Sequence, residues 1–190
     1  MRSLGRYHEG IIMRLFRAIL TAALLAPAAW AEGTGGGLRF DIMPVGCEIH
    51  GRYGSGEVRV EIYEGRKGKT HITRSFSAGQ QVSKTSYDAK GRMVRKDWAG
   101  GKWETFKPFS CFGIPGDCRY GYRNGDGADK TFVGKVTRRG RTLVSSGGFE
   151  GEAPFSDTTF TLGPFNETTA FREGDTSFKV VKYRNCGSNS

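Results

Sequence analysis

The chain has 190 residues, with 29 Lys and Arg against 19 Asp and Glu, a formal charge of +10, and 29 glycines. The glycines follow no three-residue period, which excludes a collagen, and 13 Phe with 7 Tyr exclude a chain too polar to fold. This length suits one compact domain behind a short leader.

Residues 1–31 read as an export signal that is removed. Arg14 and Arg17 precede an apolar stretch from Ala18 to Trp30, interrupted by Thr21 and Pro27, and Ala29-Trp30-Ala31 has the small-x-small form of a cleavage site. The stretch falls short of the roughly 20 apolar residues that a spanning helix needs, so no transmembrane anchor is expected after cleavage. Met13 is an alternative start. Residues 32–190 then form a single β-rich domain with 25 basic and 18 acidic side chains, a charge of +7. An exported, periplasmic or extracellular location follows.

The mature segment holds three Leu and six Ala, so helix formers are scarce while Val, Ile, Thr, Tyr and Phe abound. Leu38, Phe40 and Ile42 alternate in a first expected strand. Val58, Val60 and Ile62 share one face, with Glu57, Arg59 and Glu61 opposite. Phe132 and Val136, then Phe160 and Leu162, alternate with more polar neighbours. Turn signals stand between these runs at Gly65–Gly68, Asp88–Gly91, Gly100-Gly101, Arg139-Gly140 and Glu173–Asp175. Strands are expected over 38–43, 47–53, 57–64, 69–76, 81–88, 92–98, 103–109, 118–123, 130–137, 142–149, 158–163 and 176–184. The fold class is all-β, an antiparallel meander of about 11–13 short strands that closes into a barrel or folds as a two-sheet sandwich.

One hairpin is drawn residue by residue. A two-residue Gly100-Gly101 turn places Ala99 opposite Lys102 and Trp98 opposite Trp103. It also sets Asp97 opposite Glu104, an unfavourable pair.

Four cysteines in an exported chain read as two disulfides. Cys111 and Cys118 flank a turn-rich segment and suit a local bridge, which leaves Cys47 with Cys186 to tie the ends of the domain together. A metal site from Cys47, His50, Cys111 and Cys118 fails on geometry. Cys47 and His50 fall on opposite faces of a strand, and the Cys111–Cys118 spacing is too long for zinc.

Tyr87-Asp88-Ala89-Lys90-Gly91-Arg92-Met93-Val94 resembles one unit of the YD repeats of large secreted bacterial proteins. It covers eight residues without a second copy, reads as a hairpin turn, and implies no function here. At the level of architecture the chain is similar to small periplasmic β-barrel binding and inhibitor proteins.

The motifs of several chemistries are missing. There is no G-x-S-x-G elbow or S-x-x-K pair, and no Walker or dinucleotide loop. His50 and His71 are expected on the outer faces of their strands. Asn124–Asp129 has Ala128 and Lys135 where a calcium loop needs oxygen ligands, so it reads as a turn. Asn166-Glu167-Thr168 has the form of a glycosylation acceptor. No metal or cofactor is expected, and the chain is not expected to be an enzyme.

Basic side chains cluster at Arg66, Lys67 and Lys69, at Arg138, Arg139 and Arg141, and around the hairpin. The reading is a non-catalytic binding domain. Trp98, Trp103, Lys96, Lys102, Arg95 and Arg92 would contact an anionic envelope component (a glycan or lipid head group) or an acidic protein, with nucleic acid disfavoured. Two alternatives stand beside it: a barrel that holds a small apolar ligand, and an envelope-glycan hydrolase using paired carboxylates among Glu48, Glu57, Glu61, Glu104, Glu150 and Glu152.

Overall fold

The computed structural model describes residues 37–111 and 114–187, and the export-signal segment 1–31 lies outside them. Twelve strands follow in chain order: β1 (Glu48–Tyr53), β2 (Val58–Lys67), β3 (Thr70–Ser77), β4 (Gln80–Tyr87), β5 (Met93–Trp98), β6 (Trp103–Lys107), β7 (Gly116–Asn124), β8 (Asp129–Arg139), β9 (Thr142–Phe149), β10 (Phe155–Leu162), β11 (Thr168–Glu173) and β12 (Thr176–Arg184). Each pairs antiparallel with its sequence neighbours, and β1 pairs with β12, so the meander closes into a barrel rather than a sandwich. Full closure removes the unpaired edges that an open sheet would expose.

Residues 38–43 correct one expectation, because they are not a strand. Once β1 and β12 pair, no free edge remains for another segment to join. Residues 37–47 instead run across one mouth of the barrel as a plug. Gly37 N and Leu38 N donate to Lys90 O and Gly91 O, both at 2.9 Å, and Met43 N donates to Arg39 O at 3.0 Å. Leu38, Phe40 and Met43 are buried in the mouth. The approach requires glycine, since a Cβ on Gly37 would lie 1.7 Å from Gly91 O. Conversely, β11 is a strand that alternation does not disclose, as Phe171 is its one large apolar residue.

The topology sorts the turns between two ends. The plugged end carries the β2–β3, β4–β5, β6–β7, β8–β9 and β10–β11 turns, and the remaining turns lie at the opposite end. Both expected disulfides are formed, Cys47–Cys186 and Cys111–Cys118, and both are at the plugged end. They suit an oxidising, exported environment.

The interior is divided. Aromatic rings fill the side walled by β6–β10, where Tyr120 stacks on Phe132 with centroids 5.0 Å apart and Phe149 meets Phe155 edge-on at 5.4 Å. Phe171, Phe178 and Tyr53 continue this packing beside β1. Across β2–β5, Tyr63, Tyr87 and Met93 are buried toward the plugged end, and the other inward positions are polar. Glu61, Thr73, Ser75, Ser83, Thr85 and Lys96 are all buried. On β2 the charged face therefore points in, while Val58, Val60 and Ile62 point outward.

The two bridges close loops of very different length, 139 and 7 residues. In the chain-entropy account they stabilise by up to about 5 and about 2.5 kcal/mol. C47A/C186A should thus cost up to about 2.5 kcal/mol more than C111A/C118A in urea unfolding. Equal costs would contradict this reading of the longer bridge.

Candidate functional site

The β5–β6 hairpin differs by one residue from the register drawn from its glycines. Lys96 pairs with Glu104 and Asp97 with Trp103, while Trp98 N donates to Lys102 O at 2.7 Å. Ala99, Gly100 and Gly101 form a three-residue loop, with both glycines at positive φ. This shift resolves the unfavourable pair: Glu104 faces a lysine instead of Asp97. It also separates the two tryptophans onto opposite sides of the sheet.

The six expected binding residues consequently form no single surface. Lys96 and Trp98 point into the barrel, with Lys96 Nζ 3.9 Å above the indole. Arg95 and Trp103 lie together on the outer wall, the guanidinium 5.3 Å from the ring centroid and hydrogen-bonded to Asp97 at 2.8 Å. Lys102 is at the tip of the opposite end, 3.8 Å from Asp126. Arg92 belongs to the plugged end, where it binds Asp88 at 2.7 Å and covers the Phe109 ring at 3.7 Å.

The interior half of this group belongs to a buried charge cluster. Thr73 and Ser75 donate their hydroxyl hydrogens to the two oxygens of Glu61, and Tyr122 donates to Glu104 at 3.4 Å. Arg59 enters from β2, held by Glu57 at 3.0 Å and lying over the Tyr53 ring. Burial pushes the Lys96 pKa down to about 8, against the opposing pull of Glu61 and Glu104. Burial likewise raises both carboxyls, and their hydroxyl partners and Lys96 oppose it. The small hydroxyl residues of β3 and β4 leave the width into which Lys96 and Trp98 extend. Of the candidate carboxylates, Glu61 is 3 % and Glu104 is 7 % exposed. Glu48, Glu57, Glu150 and Glu152 instead pair with His50, Arg59, Arg119 and Lys130.

His50 lies on the outer face, 2.8 Å from Glu48. His71 corrects its expected placement. It points inward beneath the plug, stacked on Phe40 at 4.4 Å and hydrogen-bonded through Nδ1 to the Tyr63 hydroxyl at 2.7 Å. Burial and the nearby Arg66 lower its pKa. Asn124–Asp129 is a turn, its Asn124 Oδ1 accepting from Asp126 N and Ala128 N. In Asn166-Glu167-Thr168, Glu167 is fully buried and accepts from Phe165 N at 2.7 Å and from the Tyr183 hydroxyl.

Exposed charge is distributed unevenly between the ends. At the opposite end three cations are matched, Arg123 with Asp129 at 2.8 Å, Lys130 with Glu152 at 2.5 Å and Lys102 with Asp126, while exposed Arg52 and Arg172 stand in no ion pair among the described residues. Asp175 adds further negative charge there, while burial raises the Glu173 pKa to about 7, so that carboxyl is only about half ionised at neutral pH. At the plugged end Asp41, Asp88 and Glu64 are committed to Arg39, Arg92 and Arg74, while exposed Asp117 stands in no ion pair among the described residues. Among the described residues, no carboxylate lies within ion-pair distance of Arg66, Lys67, Lys69, Lys90, Arg138, Arg139 or Arg141. Arg66 and Arg138 are instead oriented by turn carbonyls, Gly68 O and Gly140 O, both at 2.7 Å. Such bonds fix the guanidinium without neutralising it. A shallow cleft of about 480 Å³ opens in this face, walled by Arg39, Phe40, His71, Lys90 and Asn166.

The six hairpin residues are thus spread over the interior, the outer wall and both ends, and the two basic turns that the sequence also marked share the plugged end, on opposite sides of its rim. Charge clustering signalled those turns, but their shared end depends on the closed topology. The chain matches no protein-family model, no curated protein and no solved structure.

Lys96 and Lys102 sit six residues apart in one hairpin but in opposite environments. Lys96→Glu sets a third carboxyl against the buried Glu61 and Glu104 and should cost about 3–5 kcal/mol in urea unfolding at pH 7. Lys102→Met at the exposed tip should change stability by no more than about 0.5 kcal/mol. Between pH 8 and 10.5 an unfolded lysine keeps a proton that folded Lys96 has lost, so Lys96 makes stability rise with pH there. Lys96→Met should remove that rise. Equal, small effects of Lys96→Glu and Lys102→Met would place Lys96 on the surface.

Proposed function

We propose that this chain is an exported, non-catalytic binding domain that docks an anionic component of the cell envelope on its plugged end. The cleaved signal over 1–31 and the two disulfides support a periplasmic or extracellular location. The observation that carries the reading is the separation of charge along the barrel axis. Among the described residues, seven cations in or beside the turns of the plugged end lie outside any ion pair, against Asp117 among its carboxylates, whereas the opposite end has two, Arg52 and Arg172, offset by Asp175 and a partly ionised Glu173.

The direction of that field matters for encounter. An anionic surface attracts the plugged end more strongly than the opposite one, so the domain approaches it in one orientation. The basic turns are also held by backbone hydrogen bonds, which limits the ordering cost on binding. The interior favours a structural role: its rings stack on one another, and Glu61 and Glu104 are enclosed by the wall they brace.

Retention of residues 32–190 on an immobilised anionic polysaccharide and on envelope fractions tests this reading. R138S/R139S/R141S and R66S/K67S/K69S should each weaken retention at least tenfold at low salt, a change of about 1.4 kcal/mol. Raising salt should weaken the wild type in the same way. Retention that ignores both changes, or that depends on Arg95 and Trp103 instead, would overturn it.

A further inference from the structure

We infer that the anionic surface met by the plugged end is a lipid bilayer, with Ile42 and Val45 entering the head-group layer between the basic turns. This rests on the basic-end reading and adds to it the apolar part of the face. Ile42 is 49 % exposed and Val45 67 %, the latter the most exposed of the large apolar residues in the barrel and plug. Both lie on the plug, among residues whose other apolar members, Leu38, Phe40 and Met43, point down into the mouth.

These two side chains are presented by a rigid support. Ile42 N donates to Arg39 O at 3.2 Å, and Cys47 N donates to Pro44 O at 3.0 Å on the far side of Val45. Gly46 N donates to Tyr63 O at 2.8 Å, and the adjacent Cys47 is bridged to Cys186. Val45 packs beside Gly65, where β2 bulges immediately before Arg66. Exposed apolar groups on a fixed loop have no partner within the barrel, and a loop so held does not fold them away.

The surrounding charge selects the occupant. The β2–β3 and β8–β9 turns are six strands apart in a ring of twelve, so their cations flank the plug from opposite sides of the rim. A pair of exposed aliphatic side chains on a rim that carries cations on both sides matches a bilayer surface, which offers hydrocarbon beneath a layer of phosphates. A hydrated polysaccharide has the charge but gives Ile42 and Val45 nothing apolar to enter.

Co-sedimentation of residues 32–190 with vesicles tests the inference. Vesicles of phosphatidylcholine mixed with phosphatidylglycerol should bind the wild type at least tenfold more tightly than pure phosphatidylcholine. I42S/V45S, both exposed positions, should bind the anionic vesicles about tenfold less while keeping its retention on anionic polysaccharide. Unchanged thermal unfolding of that variant would show that the plug is intact. Vesicle binding indifferent to I42S/V45S, or retention on polysaccharide with no vesicle binding, would overturn the inference and leave the basic-end reading standing. Loss of wild-type binding to both would overturn the two together.

Discussion

The pairing of β1 with β12 is the constraint on which the rest of this structure depends. It converts a meander with two free edges into a ring, and a ring fixes which side of every strand is inside. Once that side is set, twelve strands' worth of inward side chains must fill one interior. The chain answers with aromatic rings along β6–β10 and with a braced polar cluster along β2–β5. Gly51 shows how tightly closure is fitted: a Cβ there would lie 2.0 Å from the Phe178 ring across the β1–β12 seam. The Cys47–Cys186 bridge lies next to the same seam and ties the plug to it.

Much of the strand layout was legible because its signals are local. Gly-rich turns and alternation mark most strands to within a few residues, and cysteine spacing alone gave both bridges. Which face of a strand lies inside is not local. Val58, Val60 and Ile62 look like a core face, yet β2 turns Glu61 inward because Thr73, Ser75 and Lys96 on other strands receive it. Lys96 itself reads as one more surface cation until the one-residue change of hairpin register places it opposite Glu104. Leu38, Phe40 and Ile42 alternate like a strand but meet a sheet with no vacant edge. The strand-face and plug discrepancies come from partners distant in sequence, whereas the hairpin one comes from a three-residue loop where a two-residue turn was expected.

The same topology explains why the candidate site was only half visible. The basic runs at 66–69 and 138–141 are plain in the sequence, whereas their common end requires knowing that both follow even-numbered strands of one closed meander. The hairpin residues were attractive for the opposite reason, since Trp, Lys and Arg crowd together in sequence and are then dispersed by the pleat. Closure thus separates two roles that composition alone would merge. Interior charge braces the barrel at β2–β6, and exterior charge collects around a plug that carries its own apolar pair.

Hydrogen–deuterium exchange of residues 32–190, with and without phosphatidylglycerol-containing vesicles, would locate the docking face without any substitution. Slowed exchange should be confined to the plug at 37–47 and the basic turns at 65–69 and 138–141. Slowing at the opposite tips, 98–103 and 124–129, would contradict the assignment of the plugged end as the face that binds.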